Sequence, residues 1–341
     1  GGVESYMAFD DVEYVEECPL VRKLQSGNLP NIDVIGTKSF AIRDSIMILS
    51  TTHRDSLWVF LSLPGYQKIA SGLKLGGGPD EFVGAPSVAN NTKFYNKDGA
   101  LFAYLFDGQK GKLMDYDVTN TLNTGDMSLR LIKDSLSNSI FSIVPINDSL
   151  IMLRGIAKNA TALDRTVLDL TTNSKYPVMS KLNDATIEPG EDINILSAII
   201  KHNPANDIVV EMPIGLNYIN MYTLNGELCK TICVGKKMLS LEKVQRKMRW
   251  DRPYTFADLR LFQNFWGVLL LNETELSFQT IRKNKPSVLL FDWDGYPLAN
   301  LKLDDNATSF DINFASGELI TFDHQTELFK TYLIGEILGE M

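Results

Sequence analysis

The densest group of ionisable side chains lies between Lys236 and Arg252, where Lys236, Lys237, Lys243, Arg246, Lys247, Arg249 and Arg252 meet only Glu242 and Asp251. This stretch carries +5 in a chain of net charge −9, so the remainder carries −14. Ser240 has the chemistry of a helix N-cap, and Leu241, Val244, Gln245 and Met248 follow at helical spacing. The pattern predicts a short basic helix inserted between strands over 236–253. Such an insertion suits an anionic ligand, to which Trp250, Arg252 and Tyr254 would offer a stacking plane and hydrogen-bond donors. The stretch 272–286 adds Phe278, Arg282, Lys283 and Lys285, and 155–165 is a third long connection. Trp250, Arg252, Tyr254, Phe278, Arg282 and Lys283 are therefore the candidate ligand-binding residues, with aromatic faces for a sugar or guanidinium groups for acids. The competing reading is a solvated helix that only caps a sheet.

Catalytic chemistry has less to draw on. His53, His202 and His324 are scattered, and the sequence contains no Gly-x-Ser-x-Gly elbow. Carboxylate pairs such as Glu188 with Glu191, or Asp304 with Asp305, could act on glycosides only if they faced each other about 5–9 Å apart. No catalytic residue, metal ligand set or cofactor is expected. Gly76-Gly77-Gly78 could cradle a phosphate, but no Lys-Ser or Lys-Thr follows, and Asp80 and Glu81 would repel one. A turn requiring positive φ is the simpler reading. Asp292-Trp293-Asp294-Gly295 begins like a calcium loop and lacks its distal acid, so a hairpin turn is expected instead. Cys18, Cys229 and Cys233 are too few for a disulfide framework. If Cys229 and Cys233 share a strand, they lie about 13 Å apart and cannot bridge.

These residues must be held by strands. Across 341 residues, short β-rich runs bounded by Asp, Asn, Gly or Ser dominate, with almost no sustained helical period. A turn followed by an apolar strand recurs six times, marked by Ser45, Gly99, Ser149, Asp207, Gly267 and Gly317 at intervals of 54, 50, 58, 60 and 50 residues. Asn225-Gly226 and Asp294-Gly295 mark second hairpins, read here as two-residue type I′ turns. Four strands per repeat, six times over, predict an all-β, six-bladed β-propeller of four-stranded antiparallel blades. The last repeat has room for three strands. The N-terminal segment 11–32, above all Asp11–Leu24, is expected to supply the fourth and close the ring as one domain over 11–341, after a flexible stretch 1–10.

The segment Leu75-Gly76-Gly77-Gly78-Pro79-Asp80-Glu81-Phe82 resembles the Gly-x-Gly-Pro-x-Glu-Phe stretch of the TolB-like and NHL-like six-bladed propellers of Bacteroidetes exported lipoproteins. The blade pattern resembles that family from about Asp33 to Gly335. The resemblance implies export to the periplasm or outer membrane. It also implies a lipid anchor ahead of Gly1-Gly2-Val3, which reads as a trimmed start. Asp44-Ser45-Ile46, Asp55-Ser56-Leu57, Asp134-Ser135-Leu136 and Asp148-Ser149-Leu150 resemble the O-glycan acceptor motif of such proteins and equally read as hairpin turns.

A pI near 5.0 excludes a basic nucleic-acid binder, so no nucleic-acid partner is expected. No apolar run approaches the roughly 20 residues needed to cross a bilayer. The expected function is a non-enzymatic, monomeric binding or scaffolding propeller of the cell envelope, recognising a glycan or envelope protein through loops at one mouth of its channel. Two alternatives stay open: a carbohydrate-active hydrolase or lyase with carboxylates in the channel, and a protein-interaction platform without a small ligand.

Overall fold

The computed structural model describes residues 4–29 and 32–341. Residues 1–3 of the expected N-terminal stretch and positions 30 and 31 of the expected closing segment lie outside that description. Among the described residues, six sheets match the six repeats. Blade 1 comprises Thr37–Arg43, Ile46–Thr51, Trp58–Ser62 and Lys68–Gly72, and blade 2 comprises Thr92–Lys97, Ala100–Asp107, Lys112–Asp117 and Leu129–Lys133. Blade 3 comprises Ile140–Pro145, Leu150–Ala157, Ala162–Asp169 and Lys175–Pro177, and blade 4 comprises Ala198–Asn203, Ile208–Pro213, Tyr218–Tyr222 and Cys229–Val234. Blade 5 comprises Pro253–Leu261, Trp266–Thr274, Ser287–Phe291 and Pro297–Lys302, and blade 6 begins with Ser309–Asn313, Glu318–Asp323 and Leu328–Leu333. The fold is the expected six-bladed β-propeller.

Turn chemistry follows the sequence in part. Asp98 and Gly99, at φ 51° and 78°, join paired Lys97 and Ala100 as a two-residue turn with both centres left-handed. At Asn225-Gly226 and Asp294-Gly295 only the glycines have positive φ, 78° and 85°. The Gly226 N–H returns to the Thr223 carbonyl at 2.9 Å and the Gly295 N–H to Asp292 at 3.1 Å. These loops are thus longer than the expected two-residue turns, each a four-residue turn with glycine in its last position. The Asp292 carboxylate accepts the N–H groups of Asp294 and Tyr296 at 3.0 and 2.9 Å, so it serves its own turn.

The chain divides into two compact units. One comprises Gly1–Leu24 with Ser139–Asn306 and holds blades 3, 4 and 5. Its core joins Met152, Leu163 and Val167 of blade 3 to Val209, Tyr218 and Tyr222 of blade 4. Val210, Ile219 and Met221 of blade 4 meet Phe256, Trp266 and Phe291 of blade 5. The other unit comprises Gln25–Asn138 with Ala307–Met341 and holds blades 6, 1 and 2. There Phe40, Met47 and Leu49 pack with Ile320 and Phe322, while Trp58 and Phe60 pack with Ala103, Leu105 and Tyr116. Because both faces of a blade are buried, each aromatic side chain withdrawn from water contributes about 2–3 kcal/mol.

The N-terminal segment does more than the sequence suggests. Gly27–Asn28 pairs antiparallel with Lys330 and Thr331, which supplies the fourth strand of blade 6 from the N-terminal segment as expected. The residues that close it follow the stretch Asp11–Leu24, which forms two other strands separated by Cys18-Pro19. Val12–Val15 adds in parallel to Cys229–Val234 of blade 4, and Leu20–Lys23 adds in parallel to Pro297–Lys302 of blade 5. Within the described part of the stretch expected to be flexible, Met7, Ala8 and Phe9 are only 1%, 3% and 7% exposed in the core shared by blades 3 and 4. The Met7 N–H donates to Tyr218 Oη at 3.0 Å, Asn220 Nδ2 donates to the Met7 carbonyl at 2.9 Å, and the Phe9 N–H donates to Thr231 Oγ1 at 2.8 Å. Burial of apolar side chains with satisfied backbone groups outweighs the entropy lost by a free tail.

Candidate ligand-binding site

The basic insertion begins as a helix at the expected N-cap, but the helix ends at Gln245 and leaves Met248, expected on its apolar face, 75% exposed. Ser240 Oγ accepts the Lys243 N–H at 3.4 Å and starts a helix over Leu241–Gln245. Leu241 and Val244 turn into the core, while Lys243, Arg246 and Lys247 remain exposed. One flank is covered by the N-terminal segment. The Leu241 N–H donates to the Ser5 carbonyl at 2.9 Å, and the Ser5 N–H donates to Glu242 Oε2 at 2.8 Å. After this helix, Arg249–Asp251 makes a single 3-10 turn that leads into blade 5.

Arg252 fixes that turn. Its side chain is 12% exposed, with Nη2 at 3.3 Å from Glu191 Oε2 and Nη1 at 3.4 Å from Asp192 Oδ2. Glu191 is therefore engaged by a guanidinium. The Arg252 carbonyl accepts the Glu275 N–H at 3.0 Å, which ties the turn to the second candidate segment. That segment is less of a loop than the sequence suggests. The strand continues to Thr274, whose Oγ1 accepts the Ser277 N–H at 3.1 Å and caps a helix over Glu275–Gln279.

Three of the candidate residues form a column. The rings of Tyr254 and Phe278 stack with centroids 4.5 Å apart and an angle of 15° between their planes. The Arg282 guanidinium lies 5.3 Å from the Phe278 centroid, on a backbone with φ 50° held by the Arg282 N–H to Ser277 carbonyl bond of 2.7 Å. Phe278 is 5% exposed, and burial, then Glu275 and Asp258, raise the Tyr254 phenol above its ordinary pKa. These rings stack on each other. Trp250 differs: it is 49% exposed, with the Arg249 guanidinium 5.5 Å from its ring and Arg249 Nε 3.7 Å from Glu275 Oε2. Lys283 is exposed on the connection after the helix. The structure thus brings Trp250, Arg252, Tyr254, Phe278 and Arg282 onto adjoining segments of one unit, with Trp250 and Lys283 facing water.

The glycine-rich stretch holds an anion of its own. Glu81 Oε2 accepts the Gly78 N–H at 2.8 Å, and Lys110 Nζ donates to the carbonyls of Gly78 at 2.8 Å and of Glu81. The carboxylate sits where a phosphate would need to bind. None of the three glycines has the positive φ expected of them. A Cβ at Gly76 would fall on the Glu81 carboxylate and one at Gly78 would lie 3.0 Å from the same oxygen, so a side chain at either position would displace the carboxylate from this turn.

Sequence reasoning missed a buried charge cluster. Arg154, Arg165 and Glu211 are each 0% exposed, on strands of blades 3 and 4. Glu211 accepts Arg165 Nε at 2.9 Å, a second bond from Arg165 Nη2, Arg154 Nη1 at 3.2 Å and Tyr222 Oη at 2.9 Å. Burial alone would raise the Glu211 pKa, but the charge of Arg165 and then of Arg154 reverses this and holds it at about 2. The two guanidinium groups shift in opposite directions. Burial lowers Arg154 to about 10, whereas at Arg165 burial is more than offset by the charge of Glu211 and then by the hydrogen bonds to it, so its pKa is raised. A signal was present: Arg154 and Glu211 interrupt the otherwise apolar runs Leu150-Ile151-Met152-Leu153 and Ile208-Val209-Val210. Among the described residues, no group of three or more His, Cys, Asp or Glu side chains gathers to hold a metal ion, and no helix is long and apolar enough to cross a membrane.

Residues 39–314 match the model of a family described as TolB-like 6-blade propeller-like. A search of curated protein sequences returns no match. Among solved structures, a member of the DUF4221 family from Bacteroides vulgatus is similar at TM-score 0.53 and 12% identity, over 92% of this chain and 96% of that one. A candidate exported protein of Bacteroides fragilis is similar at TM-score 0.53 and 10% identity, over 94% and 98% of the two chains. Raptor of Chaetomium thermophilum is similar at TM-score 0.51 and 9% identity, over 91% of this chain and 29% of that one. At these identities the likeness is one of fold.

Proposed function

We propose, for a chain that belongs to the TolB-like six-bladed propeller family, a non-catalytic role as an exported binding or scaffolding module. In this reading it acts in the periplasm or at the outer membrane and recognises a glycan or an envelope protein through the connecting segments of blades 4 and 5. The observation that carries the reading is Trp250. Its ring is 49% exposed on a turn that Arg252 pins to Glu191 and Asp192, so an aromatic face meets water on a backbone that is already ordered. An ordered aromatic face stacks on a sugar ring or fills an apolar notch of a partner at small entropic cost. Lys283 supplies charge, while Arg252, Tyr254, Phe278 and Arg282 position the two segments. Export rests on the Gly-Pro-Asp-Glu-Phe resemblance and accords with the fold shared with the Bacteroides fragilis candidate exported protein.

A thermal-shift screen against neutral and acidic oligosaccharides, paired with retention of envelope proteins on the immobilised chain, tests this. A ligand at 100 times its dissociation constant adds about 2.7 kcal/mol, which for a chain of this length corresponds to a rise of about 4 °C. The rise, or the retention, is expected to vanish in Trp250→Ala, whose own melting temperature stays unchanged. Absence of both responses in the native chain refutes the reading.

A further inference from the structure

We infer that the exposed tips of residues 246–250 and 276–285 form a docking face for an anionic lipid surface. This goes beyond the ligand reading and does not depend on it. Four large apolar side chains project from these two segments: Met248 at 75% exposure, Ile281 at 72%, and Trp250 and Leu276 at 49% each. Between them stand the exposed cations Arg246, Lys247, Arg249, Lys283 and Lys285. The segments are one surface element, because Arg249 pairs with Glu275 at 3.7 Å and the Arg252 carbonyl accepts the Glu275 N–H at 3.0 Å. Asp251 is exposed in the same turn and subtracts one charge.

Charge complementarity selects the occupant. Residues 246–251 and 275–285 together carry +4 on a chain of net charge −9, so the remainder carries −13 and an anionic surface attracts this face and repels the rest. The aliphatic tips narrow the choice further. Met248 and Ile281 offer no hydrogen bonds to a sugar, and leaving them in water is unfavourable. Single apolar tips flanked by Lys and Arg, with a Trp among them, match the boundary of a bilayer, where tips enter the acyl region and cations stay at the headgroups.

Co-sedimentation of the full chain with vesicles provides the test, using equal parts phosphatidylglycerol and phosphatidylcholine against phosphatidylcholine alone. Binding is expected to the anionic vesicles, weakened by salt. Arg246→Gln with Lys247→Gln should lower partitioning about thirtyfold, roughly fivefold per cation. Lys285→Gln should lower it about fivefold from the other segment. Met248→Ser with Ile281→Ser should lower it about fivefold or more at unchanged charge. All five positions are exposed, so melting temperatures should match the native chain, and Trp250 and Lys283 are both untouched, so the sugar response reads independently. No binding to anionic vesicles at low salt overturns the inference. So does equal binding to neutral vesicles, or binding that none of the three variants weakens.

Discussion

Replacing Glu211 by Gln keeps the shape of the side chain and removes the negative charge between two buried guanidinium groups. In the native chain the carboxylate takes four hydrogen bonds, from Arg154, Arg165 twice and Tyr222, with all three ionic partners 0% exposed. Glu211→Gln leaves two positive charges enclosed in the core of blades 3 and 4. Breaking a buried ion pair on one side costs about 3–5 kcal/mol. The loss should sit at the upper end, because one carboxylate serves two cations and Arg154 Nε and Nη2 already lack a hydrogen-bond partner. Guanidinium unfolding followed by tryptophan fluorescence measures the change. The combined variant Arg154→Met, Arg165→Met and Glu211→Leu supplies the control, since apolar residues of similar volume should recover most of the loss. The pH dependence has a defined sign. A carboxylate held at about 2 when folded contributes its full stability above the unfolded value of 4.5 and loses it as pH falls from there toward 2. The difference between the native chain and Glu211→Gln should therefore be constant above about pH 5.5 and shrink below 4.5. A loss under about 1 kcal/mol for Glu211→Gln, or a combined variant weaker than the single one, would refute the electrostatic account.

Other positions give shorter tests. Phe9→Ala should cost about 3 kcal/mol or more in denaturant unfolding and speed proteolysis of the N-terminal segment, because Phe9 is 7% exposed and packs edge-on to Tyr222 at 5.9 Å. Gly76→Ala and Glu81→Ala should each destabilise by about 1–2 kcal/mol, and the double variant by less than their sum, since both disturb one carboxylate-filled turn. In thiol-labelling assays Cys233 should react slowly at neutral pH until the chain is unfolded, because burial raises its pKa to about 11 and the residue is 0% exposed.

The fold was legible because strand repeats announce themselves through turns. Asp98-Gly99 and the six spaced markers sufficed to count blades, and Ser240 sufficed to place a helix start. What stayed hidden concerns partners distant in sequence. The alternation in Val12–Val15 and Leu20–Lys23 announces strands, but nothing local says that one joins residue 231 and the other residue 300 in parallel. Trp250, Phe278 and Arg282 were legible as residue types. Their arrangement was not, because the stacking of Tyr254 on Phe278 depends on where the segment 275–279 folds back. Glu211 shows the same limit: a charge inside an apolar run signals a buried partner without naming it.

The strands that the N-terminal segment lends to blades 4, 5 and 6 also set an order in time. Phe9 leaves the ribosome before any of the six blades, yet its partner Thr231 follows 222 positions later. At about 5–20 residues per second, that interval is roughly 10–45 s. Gly27 waits longer still, for Thr331. During synthesis this segment precedes the strands it joins, so its apolar Met7-Ala8-Phe9 stays unseated and open to chaperones until blade 4 exists.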